Sequence, residues 1–146
     1  EVRRYEASLF TTVKLPLSTY KGASRKGFSI LAGYIFGGND KNEKIAMTSP
    51  VQMNLGSSPT MSFFMPVNID TKDLPTPNRK DVYLSIQPSK IVAVIAFSGW
   101  ASDRVLKKQF SLLKEKLKKE SILAWKKLRC PHLKNSSLQE LIIGPV

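Results

Sequence analysis

The chain has little of the residue types on which much protein chemistry depends. Among its 146 residues there is one cysteine, Cys130, and one histidine, His132. A single thiol cannot form an intramolecular disulfide, and a metal site built from several cysteine or histidine ligands is excluded. A Ser-His-Asp triad or a Cys-His pair could use only these two neighbouring side chains. The acidic residues are scattered and suggest no catalytic carboxylate pair, so the sequence predicts a protein that is not an enzyme.

Long apolar runs are missing as well. No uninterrupted apolar stretch approaches the roughly 18 residues that a membrane-spanning helix needs. With 42% hydrophobic residues, the composition is that of a folded protein, and the length suits a single domain over residues 1–146. The opening sequence Glu1–Glu6 is not a signal-peptide pattern. We expect a cytoplasmic monomer, with a plastid or extracytoplasmic location left open if a targeting segment precedes residue 1.

Acidic residues are few compared with basic ones. There are 11 Asp and Glu against 23 Lys and Arg, which gives a net charge of +12 and favours anionic partners. Residues 104–129 contain ten basic and two acidic residues, a surplus of eight. Because few aromatic residues are interleaved there, a solvated helix face is the commoner explanation and we expect no nucleic-acid partner. The alternative partners for this segment are an anionic surface, a protein, and the phosphate backbone of a nucleic acid.

Hydrophobic periodicity predicts two helices and several strands. Apolar residues spaced by three and four, followed by Gly37 and Gly38, predict a helix over Gly22–Phe36. Leu106, Phe110, Leu113 and Leu117 mark the buried face of a second helix that Ser102 or Asp103 can cap. The predicted strands are Tyr5–Leu15, Ile45–Leu55, Met61–Pro66, Val82–Ile86, Ile91–Phe97 (a buried strand), Ile122–Leu128 and Leu138–Val146. The turn-rich sequence Gly56–Pro59 predicts that the second and third of these strands form a hairpin.

The two halves of the chain repeat the order strand, helix, strand, strand. They are separated by the proline-rich loop Asp70–Lys80, which places the two units at approximately 1–66 and 82–146. Each unit alone would expose one sheet face, and pairing the units buries it. The pattern therefore predicts an α+β fold of duplicated β-α-β-β units, in which an antiparallel sheet curls into a distorted barrel flanked by two helices.

One long motif resembles the SOUL heme-binding protein family. It consists of Leu31–Lys41 (LAGYIFGGNDK) followed by Glu43–Val51 (EKIAMTSPV). The further stretches that resemble the family are Glu1–Glu6, Met61–Pro66, Leu74–Asn78 and Val92–Ala101. The resemblance covers roughly Glu1 to Leu117. It implies a duplicated barrel similar to bacterial effector-binding domains of the gyrase-inhibitor type.

The same resemblance implies non-covalent, non-catalytic binding of heme b or another porphyrin, for sequestration, buffering or transport. In the family the ligand lies against the first helix, which here implies a site at Arg25, Phe28, Leu31 and Ala32, with Arg25 paired to a propionate. A further basic position of the family falls on Gly33, and Lys21, Lys26 or Lys134 can compensate for it. Met47 and Met53 can pad the ring with polarizable sulfur, although both also suit a core.

Cys130-Pro131-His132 is the one local group of candidate iron ligands. Neighbouring lysine and arginine residues favour the thiolate form of Cys130. Adjacent side chains cannot bind one iron from opposite faces, so Cys130 and His132 are alternative axial ligands and no metal ligand is assigned. A binding module of the effector type, which takes another amphipathic small molecule or a protein partner, is the main alternative function.

Overall fold

A computed structural model describes residues 1–16, 19–47, 51–55, 58–66 and 72–119, together with the backbone of 140–143. The elements found within these residues are β1 Val2–Tyr5, β2 Ser8–Lys14, α1 Tyr20–Ile35, β3 Val51–Asn54, β4 Thr60–Phe64, β5 Val82–Gln87, β6 Lys90–Ala93, α2 Asp103–Lys119 and β7 Glu140–Ile143. The α+β class that the sequence predicted is confirmed.

The strands lie in two antiparallel sheets. The larger sheet has the order β5-β2-β4-β3-β7, and the smaller one pairs β1 with β6. The hairpin predicted from the chain around Gly56 is confirmed, since Val51 lies opposite Phe63 and Asn54 opposite Thr60. Within the described residues the sheets do not join into a closed barrel.

The main core lies between α1 and one face of the larger sheet. Strand side chains alternate between faces, so Val13, Met61 and Phe63 share the face that carries the core cluster. From α1 the buried residues are Ala23, Gly27, Leu31, Tyr34 and Ile35. This set recurs at intervals of three and four residues, which is why the helix buries one stripe and leaves the rest of its surface outside.

The opposite face of the larger sheet carries a buried polar cluster. The hydroxyl oxygens of Thr12 and Ser62 lie 2.8 Å apart, and Ser85 Oγ lies 3.3 Å from Thr12 Oγ1. Phe10 and Phe64 pack beside them with ring centroids 4.2 Å apart. The hydrogen bonds satisfy hydroxyl groups that would otherwise be costly to bury.

The helix ends follow from local sequence. Gly37 has a φ of 108°, and the amides of Gly37 and Gly38 donate to the carbonyls of Tyr34 and Gly33, a glycine-terminated C-cap. At the start of α2, Ser102 Oγ accepts from the amide of Val105, so Ser102 is the cap. Asp103 has another role, because its Oδ1 accepts from the amide of Tyr20 at 3.0 Å and joins the first turns of the two helices.

Some predicted strand limits were wrong. The run Ile91–Phe97 was predicted as a buried strand, but β6 ends at Ala93 and its residues are only half-buried. The reason is that, in the part of the chain that the structure describes, β6 has β1 as its single neighbouring strand. The predicted strand Ile45–Leu55 is regular only in β3, and Leu138–Val146 only in β7. The predicted strand Ile122–Leu128 lies outside the described residues.

Candidate ligand-binding face

The outer flank of α1 brings together most of the residues predicted for the ligand site. At 100° per residue, Lys21, Arg25, Phe28 and Ala32 lie within about 60° of arc on the helix surface. Phe36, the residue that ends the helix, extends this stripe to about 80°. We call these five residues the α1 stripe.

The α1 stripe is polarised along the helix axis. Its N-terminal end carries the exposed cations Lys21 and Arg25. Its C-terminal end is apolar and also exposed, since Phe28 retains 44% and Phe36 65% of its surface. Between the two rings Ala32 contributes only a methyl group. The helix thus presents a cationic end and a flat apolar end over about 22 Å.

Phe28 is exposed but held in place. Its ring meets the buried ring of Phe63 edge to face, with centroids 5.4 Å apart and an interplanar angle of 61°. Such contacts stabilise aromatic pairs by about 1 kcal/mol beyond the burial of their surface. One face of Phe28 is therefore anchored to β4 while the other remains available to a ligand.

Leu31 occupies a different environment from the other predicted site residues. It has no exposed surface and belongs to the core cluster. On α1 it lies within the arc of buried residues, between Gly27 and Ile35, and not on the exposed flank that carries the stripe. The structure therefore gives Leu31 no surface with which to touch a ligand.

Arg25 and Lys26 are neighbours in sequence but lie on different flanks of α1. Asp81 has its pKa lowered mainly by its hydrogen bond to Arg79, and Lys26 lowers it further through its charge. Lys26 therefore faces the start of β5. Arg25, about 100° around the helix, faces the other flank with Phe28.

Met47 is a residue of this region whose exposure the sequence did not indicate. The amide of Ile45 donates to the carbonyl of Ile35 at 2.9 Å, and Val51 pairs with Phe63, which contacts Phe28. Met47 lies between these two anchor points in the chain and is 57% exposed. Met53, the other predicted methionine, is fully buried in the core. Phe36 was likewise not predicted as a site residue, and only the structure shows that its ring is exposed on the same flank as Phe28.

The remaining candidates cannot be placed. Cys130, His132 and Lys134 lie outside the described residues. Within the described part of the chain, no group of three Cys, His, Asp or Glu side chains is arranged to hold a metal ion. In the same residues no helix is long and apolar enough to cross a membrane.

Comparison with known proteins places the chain in a class of heme-binding proteins. The family model for the SOUL heme-binding protein matches residues 1–132. The chain therefore belongs to the SOUL heme-binding protein family. It is 30% identical over 128 residues to mouse heme-binding protein 2 and 29% identical over the same length to the human protein. Each match spans 82% of this chain but 62% of the relative, so the chain corresponds to somewhat under two thirds of either protein.

Proposed function

We propose that this protein binds heme b or a related porphyrin non-covalently at the α1 stripe, and that it does so for sequestration, buffering or transport without catalysis. The observation that carries this proposal is the polarity of the stripe, with two cations at one end and exposed aromatic surface at the other. A porphyrin has the same polarity, because its two propionates lie at one edge of an apolar ring.

Each part of the stripe has a chemical role in this proposal. Arg25 and Lys21 donate charge-assisted hydrogen bonds to the propionates. Phe28 and Phe36 cover apolar ring surface, and Ala32 lets the ring approach the helix closely. Two exposed aromatic rings on one flank of a helix are apolar surface of the kind that marks a ligand-binding site. Met47 is a further exposed side chain, and its polarizable thioether would pad the ring.

Iron ligation is a separate question from ring binding. The α1 stripe contains no histidine or cysteine, so these five residues bind the ring and its carboxylates only. The alternative axial ligands stay Cys130 or His132, and Lys134 stays a further propionate partner. When heme is bound, its iron supplies the redox and ligand-exchange chemistry, whereas the stripe residues orient and hold the macrocycle.

Charge reversal at Arg25 tests the proposal. We expect hemin titration of the native protein to give a saturable change in the Soret absorbance, and Arg25→Glu to weaken binding by roughly tenfold or more. The reason is that the variant loses a charge-assisted hydrogen bond and places a carboxylate beside a propionate. Lys26→Glu is the matched control, since it alters the charge by the same amount on the opposite flank of α1, and we expect at most a twofold change.

A second variant tests the apolar end of the stripe. Ala32→Glu places a charged chain where the ring is proposed to lie, and it should weaken hemin binding without altering the circular dichroism spectrum. Native affinity in both Arg25→Glu and Ala32→Glu would move the site away from α1. Equal losses in Arg25→Glu and Lys26→Glu would show that only overall charge matters. Preference for another amphipathic molecule over hemin would favour the effector-binding alternative.

A further inference from the structure

The outer surface of α2 is a strongly cationic face that the tetrapyrrole site does not use. Seven exposed cations stand on this helix against two acids, which gives it a net charge of +5; the cations are Arg104, Lys107, Lys108, Lys114, Lys116, Lys118 and Lys119. The salt bridges found among the described residues all lie elsewhere and involve none of these seven side chains. The cations are therefore available to an external anion.

The apolar side of α2 does not compete for that surface. Leu106 is buried, and Phe110, Leu113 and Leu117 are half-buried on the side turned away from the cations. The ammonium group of Lys114 lies 4.4 Å from the centre of the Phe110 ring and covers part of it. The outer face of the helix thus carries mainly cationic side chains, with Ser111, Leu112 and Glu115 exposed among them.

Trp100 lies just before this face. It precedes the first residue of α2 by three positions, so the chain places it within about 10 Å of the helix start. It is 96% exposed, which makes it the most exposed of the large hydrophobic residues described. Neighbouring Gly99 has a φ of 92°, a conformation that favours glycine and sets the turn leading to Trp100.

A single exposed tryptophan beside a basic helix fits a membrane interface better than it fits a nucleic acid. The indole ring favours the headgroup region of a bilayer, where its apolar body and its N–H group are both satisfied. Clustered lysines are attracted to anionic headgroups without requiring a defined geometry. Six of the seven cations are lysine, whereas planar bidentate recognition of phosphate favours arginine. One aromatic residue also provides no stacking platform for successive bases.

We propose that the outer face of α2, together with Trp100, docks on the surface of an anionic phospholipid bilayer. The lysines supply the electrostatic attraction, and Trp100 inserts at the headgroup level without any segment crossing the membrane. This inference does not depend on the proposed tetrapyrrole site, because the two surfaces share no residue.

Vesicle binding by the full chain tests the inference. We expect co-sedimentation with vesicles in which about a third of the lipid is phosphatidylserine, little with phosphatidylcholine alone, and a loss of binding as salt is raised. Lys107→Glu/Lys114→Glu/Lys118→Glu should lower the affinity at least about tenfold. The control Lys14→Glu/Lys44→Glu/Lys80→Glu changes the net charge by the same amount at exposed positions elsewhere and should retain most of the binding.

Fluorescence reports whether Trp100 takes part. Trp125→Phe leaves Trp100 as the remaining tryptophan, and its emission should shift to shorter wavelength on anionic vesicles. No vesicle binding, or equal loss in the two triple variants, would overturn the inference. So would an unshifted Trp100 emission in the vesicle-bound protein. Tighter binding to a random DNA duplex than to anionic vesicles at the same salt would replace it with phosphate-backbone binding.

Discussion

At the scale of single residues, Tyr34 shows how the first half of the chain is tied to the proline-rich loop. Its hydroxyl group donates to the carbonyl of Pro75 at 2.8 Å, and its side chain is almost fully buried. Its own carbonyl accepts from the side-chain amide of Asn39 at 3.1 Å. Tyr34 therefore links the last turn of α1 to the loop that follows the helix and to the proline-rich loop before β5.

Tyr34 should make stability fall at high pH. Burial, with a smaller contribution from Asp40, raises its pKa from the ordinary value of 10.0 to about 12. A pKa that is higher in the folded state means that the stabilisation is complete below about pH 10 and is lost as the pH rises through about 12. We expect the free energy of unfolding, measured by urea denaturation, to decrease across this interval.

The variant Tyr34→Phe isolates this effect from the other groups that titrate at high pH. It should cost about 1 kcal/mol at pH 7, since the Pro75 carbonyl loses its donor, and it should show a shallower decrease above pH 10. Tyr83→Phe, which removes a hydroxyl from a partly exposed ring, is the matched control. Identical slopes for the native protein and Tyr34→Phe would contradict the assignment.

At the scale of elements, two of the three glycines of α1, Gly27 and Gly33, have different surroundings. A Cβ atom on Gly27 would lie 3.0 Å from Met61 Sδ and 3.1 Å from Leu15 Cδ1, so the absence of a side chain allows α1 to pack closely on the sheet. A Cβ atom on Gly33 would meet nothing within 4 Å. The same residue type therefore serves packing at one position and only weakens the helix at the other.

Substitutions at these glycines should have opposite effects. Gly27→Val should destabilise the protein by about 1–3 kcal/mol, because the added methyl groups force β2 and β4 away from the helix. Gly33→Ala should stabilise it by up to about 1 kcal/mol through helix propensity. Thermal and urea unfolding of both variants would measure this. Stabilisation by Gly27→Val, or destabilisation by Gly33→Ala, would show that the packing of α1 differs from that described.

The contact between the two helix starts is also an element-scale feature. The sequence offered Ser102 and Asp103 as equivalent caps for α2, and the capping by Ser102 is confirmed. Asp103 instead accepts from the amide of Tyr20, because the tertiary fold brings the first turns of α1 and α2 together. A residue pair separated by 83 positions cannot be identified from local sequence.

At the scale of the whole molecule, β2 organises the described fold. It pairs with β4 along one edge and with β5 along the other, so both of its edges are hydrogen-bonded. By contrast, among the described residues β1 and β6 pair only with each other, and their residues are largely exposed or half-buried. The two sheets should therefore differ in local stability.

Amide hydrogen exchange would reveal this difference. We expect the amides of β2 and of its neighbour β4 to exchange only on global unfolding, and those of β1 and β6 to exchange at least about tenfold faster through local opening. Mass spectrometry of peptides from exchanged protein measures both. Equal protection of β6 and β2 would indicate that the smaller sheet is as well supported as the larger one.

The sequence by itself determined the features that arise from neighbouring residues. The spacing of apolar side chains predicted both helices, Gly37 and Gly38 predicted the end of α1, and the family motif identified the class of protein. These features depend on local backbone preferences and on residues within about two turns of each other. The two predicted strands on either side of the turn-rich segment 56–59 also predicted the β3–β4 hairpin, although they were longer than the strands in the structure.

Only the tertiary structure decided which of these residues reach the surface. Phe28 and Leu31 have the same apolar character and lie one turn apart, but Leu31 is buried and Phe28 is 44% exposed. The cause is the line along which α1 lies on β2 and β4, which depends on contacts with residues distant in sequence. The sequence therefore determined what α1 is made of, and its packing on β2 and β4 decided which of its residues it presents to a ligand.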